Sequence, residues 1–379
     1  MAYVCMYTDV GGWNNIRMQM ELVLVFAAAT GRTLVLPPDQ PMYLLNQGVG
    51  HQKAHSFADF FPFKHISKVL PVISMEEFME REAITGHLSR QWDFHNYGIG
   101  VEGEVMYPPG NKTEFVGTIR DDRLAMWDYL RNVTTCAPWK SPEEFIIMPS
   151  KPLSASQNGT EYFINEVNHT KRYRDFQADR QSLVYDSFWH EQKVIHFISK
   201  PAIHLRLLQP FYTFIFFEDP HMDLFYKRFI RDYVHYLDEI FCKAAIIVNS
   251  LLQEGAGAYS SFHIRRGEFQ YAVVKISAAE LMKNVGHLIP NKELLYIASD
   301  ERNKTFFEDF RKKFPQLRFL DDYMDLANLK DVNPNYLGMI EQVVCSLGRV
   351  FVGTWFSTFS SYITRYVMLC AFVYLCICV

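Results

Sequence analysis

The sequence lacks a dominant charge, a clustered set of cysteines and any apolar run of membrane-spanning length. Its 38 Lys and Arg stand against 42 Asp and Glu, a net charge of −4 with a pI of about 6.4. That balance argues against a nucleic-acid binder, which carries a basic face, but leaves room for a local basic pocket. The seven cysteines (Cys5, Cys136, Cys242, Cys345, Cys370, Cys376 and Cys378) form no C-x-x-C pair and no Cys/His spacing that suits zinc. Their odd number and wide scatter define no disulfide framework, so cysteine usage does not fix the redox compartment. There is no G-x-x-x-x-G-K-[ST] loop and no G-x-S-x-G elbow, and the turn at Gly11-Gly12 lacks the third glycine of a dinucleotide fingerprint.

The longest apolar run, "YVMLCAFVYLCICV" over 366–379, has 14 residues, short of the roughly 18 to 20 that cross a bilayer. It reads first as a buried C-terminal helix or an aberrant chain end, and second as a truncated or interfacial membrane anchor. Sequons begin at Asn111, Asn132, Asn158, Asn168 and Asn303. They lean toward the lumen of the secretory pathway, endoplasmic reticulum or Golgi. Against that, Met1 is followed almost at once by a strand-like run, and no signal peptide is read there.

What is present suits a two-domain globular chain: 379 residues, 49% hydrophobic and 15% aromatic. "AYVCMY" reads as a buried strand, "GGWNN" as a turn, and "IRMQMELVLVFAAAT" as a helix apolar on nearly every side. Gly31 sits at a helix C′ position and "TLVLP" is the next strand. From about 40 to 215 the pattern is less regular, with a helix start at Ser74, an exposed loop over 151–163, and strands in "VIHFI" and "AIHLRLL". A long amphipathic helix is expected from His221 to Gly255, with the domain junction near residue 218, giving domains 1–218 and 219–379. Beyond it "AYSSFHI", "ELLYIAS", "LRFLDD" and "RVFVGT" read as strands separated by helices, an open parallel sheet. Ser277 and Glu280 have capping-box spacing before one of those helices.

Ligands of such sheets bind beyond the carboxyl ends of the strands. Those ends here read "HIRRGE", "ASDE", "LDD" and "GTWFSTFS". Arg265 and Arg266 could hold a diphosphate in their planar forks, or simply pair with acids such as Glu268 or Asp300. Ser357, Thr358 and Phe359 open the last helix, where free backbone N–H groups receive anions; Ser357 or Thr358 could equally be only a cap. Asn14 and Asn15, after Gly11 and Gly12, could hydrogen-bond a sugar or phosphate or merely cap their helix. "DDYMD" over 321–325 could bind a metal but reads better as a solvated loop.

Four blocks, "GGWNNIRMQMELVLVFAAATGRTLVLPP", "FHIRRGEFQY", "LYIASDE" and "GMIEQVVCSLGRVFVGTWFSTFSSYI", together resemble the GDP-fucose protein O-fucosyltransferase family, especially its plant- and alga-type branch. The resemblance implies a GT-B fold: two Rossmann-like domains with parallel sheets facing across a cleft, an acceptor-side N-terminal one and a donor-binding C-terminal one. It implies inverting, metal-independent transfer of fucose from GDP-fucose to a Ser or Thr hydroxyl of a protein, or to a glycan, with no cofactor. By motif, Arg265 would grip the β-phosphate and stabilise the leaving GDP. His263 would contact the nucleoside side, Ser357, Thr358 and Phe359 would surround the diphosphate, and Glu341 would hydrogen-bond the guanosine. Asn14 and Asn15 would approach from across the cleft, with Gly11, Gly12, Arg266, Glu268 and Asp300 in support.

Three departures stand out. Glu268 replaces the usual Asp. The glycine turn carries no acid to serve as base, so the nucleophile's proton goes to water, to the departing phosphate, or to another residue. After Arg365 the chain turns apolar where the family continues as a polar helix. The other readings are a non-catalytic GDP- or nucleotide-sugar-binding module of the same fold, or a GT-B transferase using another sugar.

Overall fold

The computed structural model describes residues 1–6, 11–39, 42, 45, 54–83, 104–105, 117–118, 135–136, 139, 141–153, 159–197, 206–267, 269–367 and 373–376. Glu268, and the sequons at Asn111, Asn132 and Asn158, lie outside the described residues. The chain divides into two compact units, Met1–His235 and Tyr236–Val379; the junction expected from sequence was near residue 218.

In the first unit, β1 (Tyr3–Met6) is buried at every position. Helix α1 (Trp13–Thr30) follows, then β2 (Thr33–Val35) and β3 (Val72–Ile73). The helix stops where Gly31 takes the left-handed conformation at φ 66° and returns its N–H to the Ala27 carbonyl, a conformation that costs glycine nothing. Its burial extends to Arg17, Gln19 and Glu21. Arg17 Nε meets Glu21 Oε1 at 2.9 Å, so this buried charge is paired one turn along the helix. Arg32, the residue immediately before β2, is also buried and donates to the carbonyls of Tyr3, Trp189, His190 and Gln192.

Further on come β4 (Glu104–Val105), β5 (Gly117–Thr118), β6 (Thr135–Cys136), β7 (Glu144–Met148), β8 (Gln181–Val184), β9 (Val194–Phe197) and β10 (Ile215–Phe217). A parallel sheet runs in the order β3-β2-β1-β9-β6, and a second, three-stranded parallel sheet in the order β10-β7-β8. Phe145, Ile147, Val167, Tyr173 and Phe216 form the core behind the small sheet. That sheet is absent from the sequence reading.

The second unit carries β11 (Ser260–Ile264), β12 (Leu295–Ser299), β13 (Leu317–Arg318), β14 (Val350–Gly353) and β15 (Val373–Cys376). They form one parallel sheet in the order β13-β12-β11-β14-β15. Its core gathers Phe262, Ile264, Leu281, Leu295, Ile297 and Phe310. The strand order steps outward from β11 to β13, then returns to the other side of β11 with β14. The carboxyl ends of β11 and β14 therefore flank the topological switch point, where open α/β sheets form their ligand crevice. Each unit, by itself, has the α/β organisation expected of one half of a GT-B enzyme.

Several expectations are corrected. The long helix from His221 is two helices, Pro220–Tyr233 and Asp238–Glu254. Asp219 caps the first through a bond from the His221 N–H, and Val234 ends it outside helical geometry. "LRFLDD" is a strand only at Leu317–Arg318, and Leu320–Tyr323 coils into a 3₁₀ turn. The helix read from Ser74 is α-helical over Met75–Phe78 and a π-helix over Met79–Ala83. The apolar tail is not simply a helix: the described helix covers Thr358–Val367, and Val373–Cys376 pair in parallel with β14. No helix among the described residues is long and apolar enough to cross a membrane.

Candidate functional site

The end of β11 is locked to the end of β14 by one side chain. Thr354 donates from its backbone N–H (3.1 Å) and its Oγ1 (3.0 Å) to the His263 carbonyl. The same Oγ1 accepts from the Arg265 N–H at 3.0 Å. On the other flank, Ser299 Oγ donates to the Ile264 carbonyl at 2.7 Å. Arg265 thus leaves a strand end fixed from both neighbours. Sequence reasoning missed Thr354 and Ser299; the signal was a short hydroxyl residue just past or at the end of an apolar strand.

The two arginines differ in environment. Arg265 Nη1 lies 2.6 Å from Asp300 Oδ2, with about a quarter of each side chain exposed. Asp300 also accepts from the N–H groups of Arg266 (2.6 Å) and Gly267 (2.9 Å). This one carboxylate therefore shapes the whole turn. A Cβ on Gly267 would fall 2.6 Å from Asp300 Oδ2, closer than any side chain tolerates. Arg266 points elsewhere: its Nε meets Glu301 Oε2 at 3.0 Å, its Nη1 donates to the Ile276 carbonyl, and its guanidinium lies 4.1 Å over the Phe306 ring. The acid pairing considered for both arginines is present, with Asp300 and Glu301 as partners.

His263 faces the other half of the rim. Its Nδ1 is 2.8 Å from Ser360 Oγ, and its ring stacks on Phe359 with centroids 4.4 Å apart. Burial, aided by the Arg265 charge and opposed by Asp300, lowers its pKa to about 3. The imidazole is therefore neutral at physiological pH, a hydrogen-bonding and stacking group rather than a cation. The Thr358–Val367 helix comes this close to the sheet because residue 353 is glycine; a Cβ there would meet Ser360 Cβ at 2.8 Å. Ser357 is buried, and its N–H reaches the Thr354 carbonyl at 3.4 Å. The helix opens with Thr358 and Phe359, whose N–H groups have no acceptor within the helix. Phe356, just before it, is exposed with φ at +61° and stacks on Tyr271.

Glu341 lies on the Leu337–Ser346 helix, where Tyr296 donates to its Oε1 at 3.4 Å. Burial pushes its carboxyl up to about 8. Gln342, beside it, is buried, accepts from the Tyr236 hydroxyl at 2.7 Å and donates to the Phe359 carbonyl at 3.4 Å.

The structure thus brings His263, Arg265, Asp300, Thr354, Ser357, Phe359 and Ser360 to the carboxyl end of one sheet, with Glu341 reached through Tyr296 on β12. Gly11, Gly12, Asn14 and Asn15 belong to the first unit. There Gly12 is the N-cap of α1, and Asn14 and Asn15 lie within the first turn of that helix. The "DDYMD" segment is tied up locally: Asp322 accepts from the Phe319 N–H, and Asp321 and Asp325 face Lys304 and Lys330. Among the described residues no group of three or more His, Cys, Asp or Glu could hold a metal ion.

Residues 3–369 match the model of the family described as GDP-fucose protein O-fucosyltransferase. No curated protein sequence matches the chain. Among solved structures, POFUT1 in complex with GDP is 14% identical, with 100% of this chain and 99% of that chain covered, at a TM-score of 0.45. NodZ alpha-1,6-fucosyltransferase co-crystallized with GDP is 13% identical over 96% of this chain and 92% of that chain, at 0.44. Fucosyltransferase NodZ from Bradyrhizobium gives the same values.

Proposed function

Since the chain belongs to the GDP-fucose protein O-fucosyltransferase family, we propose that it transfers fucose from GDP-fucose to a Ser or Thr hydroxyl of a protein acceptor, with inversion and without a metal. One observation carries this reading: at the switch point, a fixed arginine and the open N-terminus of a helix share one rim. A diphosphate needs such a pair, a bidentate guanidinium for one phosphate and free N–H groups for the other.

The chemistry is a single displacement. The acceptor oxygen forms a bond to the anomeric carbon while the bond from that carbon to the β-phosphate oxygen breaks. The bonding electrons leave with GDP, and the acceptor proton passes to water or to the departing phosphate. Arg265 stabilises the charge growing on the leaving group, and because Asp300 and Thr354 already hold its turn in place, little reorganisation accompanies the step. His263, neutral and stacked, orients Phe359 and the first helical turn. Glu341 accepts from the guanine edge. Asn14 and Asn15 act as further donor contacts, and the work is done in the lumen of the secretory pathway.

Thermal shift with GDP, UDP and ADP tests the nucleotide, followed by GDP release from GDP-fucose in the presence of protein acceptors. Stabilisation by GDP alone, with release, is expected; equal stabilisation by UDP or ADP sinks the reading. A second reading, a GDP-binding module without turnover, is favoured by the Arg265–Asp300 pair and the acid-free glycine turn. Binding without release would support it.

A further inference from the structure

The first unit contains a cavity of about 350 Å³ that none of the chemistry above uses. It opens at the carboxyl ends of the small sheet: Met148 ends β7, Phe217 ends β10, and Tyr185 directly follows β8. Parallel strands of an α/β unit collect ligands at that end. The volume falls at the lower end of the roughly 300–1,000 Å³ common for small-molecule sites.

The polar groups in its wall are only half used. Asp186 spends one carboxylate oxygen, Oδ1, on the Trp189 N–H at 3.3 Å. Asp219 spends Oδ1 on the His221 N–H at 2.8 Å. Among the described residues, neither Oδ2 has a hydrogen-bond partner. Among the described residues, the buried Tyr185 hydroxyl oxygen has no hydrogen-bond partner. A buried orphan of this kind costs roughly 1–3 kcal/mol unless something completes it. Lys151 is also in the wall, with no ion pair to any of the described residues. The remaining surface is apolar, with the parallel-stacked Phe217 and Tyr226 rings 4.8 Å apart and Met222 beside them.

Charge selects the ligand class. An anion would meet two carboxylates, and a cation would meet Lys151. A ligand whose groups both donate and accept satisfies all of them: it donates to the two spare oxygens and accepts from lysine and tyrosine. Hydroxyls do this, and the aromatic and methionine surface suits the apolar face of a sugar ring. We propose that this cavity is a binding site for a neutral mono- or disaccharide, distinct from the rim around Arg265.

The test is saturation-transfer NMR on the full chain without nucleotide, using xylose, galactose, N-acetylglucosamine, lactose and cellobiose, with glucosamine and glucuronate as charged comparators. At least one neutral sugar should give a signal that Met222→Trp, which fills the cavity, abolishes. Asp219→Asn keeps the helix cap and Tyr185→Phe keeps the ring, so both should fold. Each should weaken binding about fivefold, the effect of one hydrogen bond. Arg265→Ala should leave the signal intact. The proposal fails if no neutral sugar binds or only the charged comparators do. It also fails if the signal survives Met222→Trp or is lost in Arg265→Ala.

Discussion

Ser360 Oγ and His263 Nδ1 lie 2.8 Å apart, tying the first turn of the last described helix to the second-to-last residue of β11. The bond joins a neutral ring to a buried hydroxyl, so it fixes position without placing a charge beside Arg265. The rim of the second unit is therefore organised before any ligand arrives.

The adjacent arginines should separate cleanly on mutation. Arg265→Ala is expected to reduce transfer by about 10²–10³-fold, as loss of a preorganised charge contact does, with unfolding unchanged. Arg265→Lys should recover only part of the rate, since an ammonium lacks the bidentate fork. Arg266→Ala should do the opposite, costing about 1–3 kcal/mol of stability through its Glu301 and Ile276 bonds and its Phe306 stack. Steady-state rates and denaturant midpoints for both variants decide it; the same profile for both would refute the division of labour.

Gly267→Ala should lower turnover more than it lowers stability. The added methyl would displace Asp300, and with it the carboxylate that positions Arg265. A loss in kcat, with the melting temperature held within a few degrees, is expected. Unchanged kcat would mean that Asp300 does not position the guanidinium.

The pH dependence of stability should show a plateau flanked by two slopes. His263 has a pKa of about 3 when folded, against 6.5 in an open chain. As pH falls from 6.5 toward 3, the unfolded state takes up a proton that the native state refuses, and stability drops by about 1.4 kcal/mol per pH unit. Glu341 has a pKa of about 8 when folded, against 4.5. As pH rises from 4.5 toward 8, the unfolded state ionises while the native state keeps its proton, and stability drops again. Between 4.5 and 6.5 these two contributions oppose and cancel. Denaturation of His263→Gln should flatten the acid slope, and Glu341→Gln the alkaline one. Curves parallel to the wild type would contradict the assignment.

GDP binding at pH 7 should release a proton. If Glu341 accepts from both N–H groups of the guanine edge, one on each oxygen, it must ionise in the complex, whereas burial keeps it mostly protonated at pH 7 in the empty site. Calorimetry in buffers of different ionisation enthalpy reads the number directly. Release of about one proton, abolished in Glu341→Gln, is expected; none in the wild type would remove Glu341 from the donor contacts.

The parts legible in the sequence are those with strong punctuation. The β1–α1–β2 unit was marked by Gly12, Gly31 and an unbroken apolar helix, and Ser277 does accept from the Glu280 N–H. "HIRRGE" and "GTWFSTFS" could be placed at strand ends because apolar runs stop abruptly before them. The small β10-β7-β8 sheet escaped because its strands are three to five residues long and sit among loops. Periodicity cannot separate such runs from helix. The break at Val234 was hidden because both flanking helices are amphipathic, and neither glycine nor proline marks the gap. Asp300 as organiser of the turn was hidden for another reason: which of several nearby acids reaches an arginine is decided by strand register, not by order along the chain.

The Thr354 bridge has a consequence for the order of events on the folding pathway. It spans 89 residues to Arg265, and the Ser360–His263 bond spans 97. β11 emerges first, but its rim stays incomplete until β12, β13 and the Leu337–Ser346 helix have been threaded between. Loops this long close slowly. The rim is thus among the last features of the second unit to form, and a nascent chain halted before residue 354 would hold its arginines with no opposite wall.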